Sequence, residues 1–215
     1  MTIDVTIYRS EKDARSAFVI PFRKGMTVLD VLMHVYKHLD PSLAFRYECR
    51  QAICGTCGVM YNGTPVLSCS TQVDQAQAKH VIRPLSNFPV EKDLIVNLAP
   101  ILERYDAIKP YIDNIHDVML TKKDANRSKP FRKCIECGCC IAGSASVANT
   151  IDSVLDPMSL VKIARYITDP RDGINRKSIA KQAGSLPYST EEAKFLSELC
   201  PRGVPIDLAV EILKK

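Results

Sequence analysis

The sequence of 215 residues lacks both a membrane-spanning segment and a typical export signal. No apolar run approaches the roughly 18 residues that a transmembrane helix needs. Met1 to Tyr8 alternates between polar and apolar residues like a strand, whereas a secretory signal has a charged stretch followed by an apolar one. We therefore expect a cytoplasmic protein, in which cysteine thiols stay reduced and available to metal.

The chain also lacks the features by which proteins bind nucleic acid. Its formal net charge is +5, from 29 lysines and arginines against 24 aspartates and glutamates. The basic residues form no block and do not alternate with aromatic residues. We expect no nucleic-acid partner.

A dinucleotide-binding motif is missing as well. No G-x-G-x-x-G lies between a predicted strand and a predicted helix, so no nucleotide cofactor is expected in this chain. The four histidines have no cysteine or carboxylate neighbours at metal-ligand spacing, which favours packed or solvated side chains over ligands or proton carriers. These histidines are His34, His38, His80 and His116.

Length and hydrophobic content predict two domains. With 46% hydrophobic and 25% charged residues, the chain can bury one large core or two modest ones, and two lies within the usual domain size. From about Ala99 the pattern of apolar residues changes from alternation to helical periodicity. We expect a first half built on a sheet and a second half built from helices.

The first half is predicted to be a small sheet crossed by one helix. Two strands form a hairpin around a polar turn at Arg9–Ser16, and Thr27 caps a helix that extends to about Leu39. Asn62-Gly63 predicts a type I′ hairpin. The predicted strands are Thr2–Tyr8, Ala17–Pro21, Val59–Tyr61, Pro65–Ser68 and Val81–Ile82.

Helices of the second half are predicted from apolar periodicity and capping residues. Ser189 is a predicted N-cap with Glu192 as its capping-box partner. Arg171–Ser185 is polar and contains glycine, which indicates a connection and not part of a core. The predicted helical segments are Ile101–Ile115, punctuated by Pro110, then Met158–Tyr166, the helix from Ser189, and about Pro205–Lys215.

The nine cysteines fall largely into two sets, and the first has the spacing of a [2Fe–2S] site. Its members are Cys49, Cys54, Cys57 and Cys69, in the plant-type pattern C-x4-C-x2-C followed by a distant cysteine. Soft thiolates suit iron and sulfide. Gly55 and its polar neighbours allow backbone N–H groups to turn toward the sulfurs. The alternative is a structural zinc site, which favours paired short spacers and fits this spacing poorly.

The second set has the spacing of a [4Fe–4S] site. Cys134, Cys137 and Cys140 form C-x2-C-x2-C, and Cys200, followed by Pro201, offers a fourth thiolate. Cys139 is out of step with this repeat and is expected to be a buried thiol, with replacement of Cys140 as a ligand as the alternative. A zinc site is again weaker, because the remote cysteine is single.

These motifs closely resemble the iron–sulfur subunits of succinate dehydrogenases and fumarate reductases. The resemblance rests on the residues 44–57, which read AFRYECRQAICGTC, on Asn62-Gly63, on Leu67-Ser68-Cys69, and on the residues 82–85 and 90–96, which read IRPL and VEKDLIV. It extends over nearly the whole chain. One departure is Ala52, where the family commonly has glycine.

The resemblance implies an α+β fold, with an N-terminal β-grasp ferredoxin-like domain over residues 1–98 and an all-α helical ferredoxin-like domain over residues 99–215. It also implies one [2Fe–2S] cluster on the first cysteine set and one [4Fe–4S] cluster on the second. The chain is then a non-catalytic electron-transfer subunit with no catalytic residues of its own. Substrate chemistry takes place in a partner flavoprotein that holds FAD. Location at the inner face of the cell membrane, through partners, is the alternative to a free cytoplasmic position.

The family normally carries a third cluster, of the [3Fe–4S] type, whose ligand positions hold Ser144, Thr190 and Leu196 here. Leucine cannot bind iron, and hydroxyls bind it poorly beside sulfide. We predict that no [3Fe–4S] cluster forms. The aromatic segment that helps to form the family's quinone pocket is replaced by Ala145–Asn149. The sequence therefore favours a redox protein or another iron–sulfur subunit as the terminal partner over a quinone-binding membrane anchor.

Two other functions remain open at the level of the sequence. One is a free-standing two-cluster carrier that serves several oxidoreductases. The other is a structural zinc protein, which would contain no acid-labile sulfide.

Overall fold

The structure, a computed structural model, describes residues 1–10, 14–148 and 153–215. The chain forms two compact units. The first comprises Met1–Asn97 and Ile135–Ala142, and the second comprises Leu98–Cys134 and Gly143–Lys215. The predicted division into folding domains at residues 98 and 99 stays a prediction, and the inclusion of Ile135–Ala142 in the first unit was not expected from the sequence.

The first unit contains a mixed five-stranded sheet. Its strands are ordered β2-β1-β5-β3-β4, with β1 and β5 parallel and all other neighbours antiparallel. A separate two-stranded hairpin is formed by β6 and β7. The strands are β1 (Thr2–Arg9), β2 (Ala14–Pro21), β3 (Gly58–Tyr61), β4 (Thr64–Leu67), β5 (His80–Arg83), β6 (Val90–Lys92) and β7 (Ile95–Val96).

One amphipathic helix, α1 (Val28–His38), packs on this sheet. Thr27 and Asp30 form the predicted cap as a reciprocal capping box. The apolar face of α1 and the inward face of β1 share one core, because alternate strand residues point to the same side. Core residues from the helix and strand are Ile3, Val5, Ile7, Val28, Val31, Leu32 and Val35. This is the predicted β-grasp arrangement.

Both predicted hairpins are present. Asn62 and Gly63 have φ values of 48° and 84°, as a type I′ turn requires. The first hairpin is longer than expected, because Arg9 and Ala14 pair at the ends of β1 and β2. The rest of the predicted turn includes residues 11–13, which lie outside the described part of the chain.

The second unit is built from helices. The predicted helices near residues 101, 158, 189 and 205 are all found, although the first ends at Ile108 and not near residue 115. The helices after α1 are α2 (Ala99–Ile108), α3 (Lys122–Ser128), α4 (Cys139–Gly143), α5 (Pro157–Ile167), α6 (Arg176–Ala183), α7 (Thr190–Leu199) and α8 (Ile206–Lys214). Most of α4 belongs to the first unit. The α+β class is confirmed.

The prediction that Arg171–Ser185 is only a connection was wrong, because this stretch contains α6. The inward side of α6 carries an arginine where an apolar residue would usually stand, and Arg176 is 2% exposed. Its guanidinium forms an ion pair with Asp172 at 2.7 Å and donates to the carbonyl oxygen of Ile108 at 2.9 Å. Because this buried position holds a charged side chain, whose charge is fully paired, the sequence shows no apolar periodicity here.

The predicted capping box of α7 was half right. The hydroxyl of Ser189 accepts the N–H of Glu192 at 3.1 Å. The Glu192 carboxylate, however, accepts hydrogen bonds from Ser144 and Ser146 and does not reach back to the cap. Glu192 therefore bonds to residues that are distant in the sequence and not to the backbone of Ser189.

Within the described ranges, every helix is too short or too polar to cross a lipid bilayer.

Candidate metal centres

The loop after Cys49 directs its backbone N–H groups at that residue's sulfur. The amides of Gln51 and Ile53 each donate to the Cys49 Sγ at 3.4 Å, and the amide of Cys54 donates at 3.3 Å. Three donors on one sulfur favour the charged thiolate over the neutral thiol. They lower the pKa of Cys49 to about 6, the Gln51 amide contributing most.

A fourth amide of the same loop, that of Ala52, donates to the Sγ of Cys69 at 3.4 Å. Arg50 and Ala52 adopt left-handed φ values of 56° and 54°, which curl the loop around the sulfurs. This conformation costs a residue with a Cβ about 1–2 kcal/mol relative to glycine. Ala52 thus takes up a left-handed conformation that glycine would adopt freely.

The four cysteines of the first set interact as two pairs. The Cys54 side chain hydrogen-bonds to Cys49, and the Cys57 side chain hydrogen-bonds to Cys69. Burial, the largest effect, and the nearby thiols of Cys57 and Cys49 together raise the pKa of Cys69 to about 11, against the opposing effect of the Ala52 amide. Crowded thiols that resist ionisation become good ligands once a cation neutralises them.

The thiols of this loop and the amides directed at their sulfurs have the chemistry of an iron–sulfur cluster site. No three histidine, cysteine or acidic side chains of the described chain lie close enough together to hold one metal ion. A [2Fe–2S] cluster takes two thiolates on each iron, which matches the two pairs. Amide donors directed at ligand sulfurs are also the usual outer contacts of such clusters.

Two glycines allow the segment Ile135–Ala142 to lie against this loop within the first unit. A Cβ on Gly55 would lie 2.5 Å from the carbonyl oxygen of Ile135, and the φ of Gly55 is +77°. A Cβ on Gly58 would lie 3.0 Å from the carbonyl oxygen of Cys137. The close approach of the two backbones therefore depends on residues without side chains.

Three further cysteines, Cys137, Cys139 and Cys140, lie on that segment. Cys139 is fully buried, as expected, and packs with Cys57 and Leu67. The Cys139 side chain hydrogen-bonds to Cys137 and lowers its pKa to about 7, against the opposing effect of burial. Cys140 is half-buried at the start of α4.

The two remaining cysteines belong to the second unit. Cys134 follows a short 3₁₀ turn, and its amide donates to the carbonyl oxygen of Phe131 at 3.3 Å. Cys200 follows α7 as its C-cap, and its carbonyl oxygen accepts the N–H of Gly203 at 2.9 Å. Both side chains are half-buried. The grouping of Cys134, Cys137, Cys140 and Cys200 as one ligand set remains a prediction.

A hydrogen-bonded network occupies the neighbourhood of Ser144 in the second unit. Ser144 is 2% exposed. Its hydroxyl donates to Glu192 at 2.7 Å and accepts the N–H of Val147 at 3.3 Å. The N–H and the hydroxyl of Ser146 also donate to the Glu192 carboxylate. Burial opposes the charge of Glu192, but the hydrogen bonds from Ser146 and Ser144 outweigh it and hold its pKa below the usual value.

This role of Glu192 could not be predicted from the sequence, because its partners lie 46 and 48 residues away. On the same helix, Leu196 is fully buried, whereas Thr190 is exposed in the first turn. Of the segment Ala145–Asn149, Asn149 lies outside the described residues.

The histidines of the first unit differ in their surroundings. His80 is buried, and its Nδ1 lies 2.6 Å from the Tyr61 hydroxyl oxygen. Burial is the main effect that lowers the pKa of His80. His34 and His38 lie one helical turn apart on α1, with ring centroids 4.8 Å apart and ring planes tilted by 43°.

Comparisons with known proteins agree with this geometry. Residues 2–103 match a family described as a 2Fe-2S iron-sulfur cluster binding domain. The chain is 31% identical to the fumarate reductase iron-sulfur subunit of Haemophilus influenzae, over 95% of this chain and 88% of that protein. It is 29% identical to a mitochondrial succinate dehydrogenase [ubiquinone] iron-sulfur subunit of Oryza sativa, over 89% of this chain and 71% of that protein.

The structural comparison points the same way. A chain of the Mycobacterium smegmatis Sdh1 complex in the apo form superposes with a TM-score of 0.86 at 26% identity, and the match covers 99% of this chain and 94% of that chain. The chain belongs to the family of iron–sulfur subunits of fumarate reductases and succinate dehydrogenases.

Proposed function

We propose that this chain relays single electrons through one [2Fe–2S] and one [4Fe–4S] cluster, without a [3Fe–4S] cluster, in a complex with an FAD-containing flavoprotein. The substrate reaction, of the succinate dehydrogenase or fumarate reductase type, takes place in the flavoprotein. This chain contributes the ligands and the protein surroundings of the clusters and no catalytic residue.

The observation that carries the proposal is the convergence of three backbone amides on the Sγ of Cys49. Together with the pairing of Cys49 with Cys54 and of Cys57 with Cys69, it supports these four residues as the [2Fe–2S] ligands. When bound, iron–sulfur clusters supply one-electron chemistry that divides the two-electron reaction of a flavin into single steps. The loop amides stabilise negative charge on the ligand sulfurs, which contributes to the reduction potential.

The [4Fe–4S] ligands are proposed to be Cys134, Cys137, Cys140 and Cys200. The sequence spacing and the family membership support this set. Cys139 is out of step with the C-x2-C-x2-C spacing, which supports a role for Cys139 beside a ligand and not as one.

Loss of the third cluster is supported by the surroundings of Ser144 and Leu196. The Ser144 hydroxyl is committed to Glu192, and the buried Leu196 has no atom that can bind iron. Because a chain without this cluster lacks the terminal centre of its relatives, we propose that the further partner is a redox protein or iron–sulfur subunit. A cytoplasmic location, free or at the inner face of the membrane through partners, goes with this proposal.

The proposal is tested by purifying the native complex and recording its electron paramagnetic resonance (EPR) spectra. We expect co-elution with a larger flavin-containing polypeptide, one [2Fe–2S] signal and one [4Fe–4S] signal on reduction, and no [3Fe–4S] signal on oxidation. A brown monomer without flavoprotein would instead indicate a free-standing carrier. Zinc without acid-labile sulfide would contradict both functions.

A further inference from the structure

The apolar segment, residues 111–120 of the second unit, exposes a run of apolar side chains. Five of the fifteen large apolar side chains that are exposed in the described chain lie on these residues. Met119 is 94% exposed and Ile115 is 74% exposed, and the other three are Tyr111, Val118 and Leu120. Single exposed apolar residues are normal, whereas a group of them marks a site of contact with a protein or a membrane.

Hydrogen bonds fix the backbone of the apolar segment. The Asp172 carboxylate accepts the N–H of Asp113 at 3.1 Å, and the N–H of His116 donates to the carbonyl oxygen of Arg171 at 2.9 Å. Asp172 is itself fixed by its ion pair with the buried Arg176. The apolar side chains are therefore held at the surface by a bonded backbone and do not belong to a loose loop.

Close packing at Gly173 supports this fixed position. A Cβ on Gly173 would overlap the carbonyl oxygen of Asn114 and the imidazole ring of His116. The two backbones therefore meet at a residue without a side chain. The exposure of the apolar segment is thus a built feature of the second unit.

The apolar segment leads into a cationic region. Residues 109–133 contain seven basic and three acidic residues, a net charge of +4, against +5 for the whole chain. Lys122 and Lys123 come just after the apolar segment and are exposed. Lys123 and the exposed Arg127 are four residues apart on α3 and so lie on one face of this helix.

The acidic residues of this region offset these cations only in part. Asp113 forms an ion pair with Lys109 at 2.9 Å, and the Asp124 carboxylate accepts the N–H and the hydroxyl of Thr121 in the capping box of α3. The third, Asp117, is exposed within the apolar segment. The surface that follows the apolar segment therefore keeps an excess of positive charge.

An anionic lipid bilayer offers partners for both parts of this surface. Its acyl boundary takes up apolar side chains, and its headgroups attract lysine and arginine. Lys122 lies three residues after Met119, about 10 Å along an extended chain, and interfacial segments enter a bilayer to a depth of about 5–10 Å. A protein partner needs a shaped pocket for a protruding side chain such as Met119, whereas a fluid lipid layer does not.

We propose that the apolar segment and the lysines after it bind the surface of an anionic lipid bilayer directly. Val118, Met119 and Leu120 enter the interfacial layer, and Lys122 and Lys123 contact the headgroups. This contact requires no partner subunit. The inference goes beyond the proposed electron-transfer function and does not depend on it, because the same surface would be present on a free-standing carrier.

The test uses the full, cluster-loaded chain and its sedimentation with lipid vesicles. We expect binding to phosphatidylcholine vesicles that contain about 30% phosphatidylglycerol, and little binding to vesicles of phosphatidylcholine alone. Binding should weaken as salt rises from about 20 to about 200 mM, because screening shortens the range of the attraction.

Substitutions separate the apolar and the charged contributions. Met119→Gln should weaken binding about tenfold, since each apolar group that enters the interfacial layer contributes to binding, and Ile115→Gln repeats this test at a second exposed position. Lys123→Gln should weaken binding about fivefold. The matched controls are Phe195→Gln and Lys177→Gln, which alter exposed residues of the same unit on α7 and α6 and should leave binding unchanged.

No binding of the unaltered chain to anionic vesicles at about 20 mM salt would overturn the proposal. Equal weakening by each substitution and its control would also overturn it, by showing a general attraction of the chain to anions. If Met119→Gln instead abolishes co-elution with the flavin-containing polypeptide and leaves vesicle binding unchanged, the apolar segment is a protein interface and the proposal is wrong. The thermal midpoint and the iron content of each variant show that the fold and the clusters are intact.

Discussion

Hydrogen-bond donors are directed at different acceptors in the cysteine loop of the first unit and in the Ser144 network of the second unit. Around Cys49, backbone amides donate to sulfur. Around Ser144, the hydroxyls and one amide donate to the Glu192 carboxylate. The first arrangement stabilises thiolates that can bind iron, whereas the second is already satisfied by an anion of the protein itself.

On the proposal that this chain holds no [3Fe–4S] cluster, this difference shows how a metal site can be lost without leaving a void. Removing a cluster exposes buried polar groups that must find other partners or destabilise the fold. Here a glutamate supplies the negative charge and the hydrogen-bond acceptors, and the leucine one turn further along the helix fills space. The predictions below test each side of the comparison, beginning with the largest expected effect.

Replacing a ligand of the first set is expected to have the largest effect. Cys49→Ala removes the sulfur that collects three amides, so the [2Fe–2S] cluster should be lost and about two irons with it. Iron analysis and the EPR spectrum of the reduced protein measure this. Cys139→Ala is the control, because Cys139 is as small and even more buried, and it should keep the full iron content. Iron loss in the control would make Cys139 a ligand.

Gly55→Ala is expected to disrupt the loop without removing a sulfur. A methyl group would meet the carbonyl oxygen of Ile135 at 2.5 Å, in addition to the strain of a left-handed conformation. The loss of stability should be about 3 kcal/mol or more, with a weakened [2Fe–2S] signal. Gly63→Ala has a similar φ of +84° and open space around it, so it should cost only about 1 kcal/mol. Urea unfolding compares the two, and equal costs would rule out the close backbone contact.

Glu192→Ala tests the Ser144 network of the second unit. The buried Ser144 hydroxyl and the Ser146 amide would lose their acceptor, which should cost about 2–4 kcal/mol in the free energy of unfolding. Glu191→Ala removes the neighbouring, exposed carboxylate of the same helical turn and should cost less than about 1 kcal/mol. If both substitutions cost less than about 1 kcal/mol in the free energy of unfolding, the network does not stabilise this region.

The same carboxylate predicts a smaller, pH-dependent effect. Because the pKa of Glu192 is lowered in the folded chain, its charge stabilises the fold at pH values above the unfolded pKa, near 4.3. That contribution is lost as the pH falls through the folded pKa. The difference in thermal midpoint between the unaltered chain and Glu192→Gln should therefore be present at pH 7 and shrink toward pH 3. A difference that grows on acidification would contradict the direction of the pKa shift.

Elements with strong local signals could be predicted from the sequence. The alternation of β1, the capping box before α1 and the Asn62-Gly63 turn each depend on residues within one element, and each was confirmed. The plant-type cysteine pattern belongs to the same class, since it lies almost entirely within one loop. Helix α3 was missed, although Thr121 and Asp124 form a second capping box that could have revealed it.

Features that depend on distant partners could not be predicted. The inward side of α6 is carried by Arg176, whose partners include a carbonyl 68 residues away. Glu192 has the sequence position of a local capping residue, but in the structure it accepts hydrogen bonds from Ser144 and Ser146. The inclusion of Ile135–Ala142 in the first unit likewise depends on close packing at Gly55 and Gly58, which spacing alone does not reveal.

The content of iron and acid-labile sulfide per chain, measured on anaerobically purified protein, tests the central claim most directly. Two clusters predict about six irons and about six sulfides. About nine irons, together with a [3Fe–4S] signal in the oxidised protein, would contradict the account, because the region of Ser144 and Leu196 would then hold a third cluster after all.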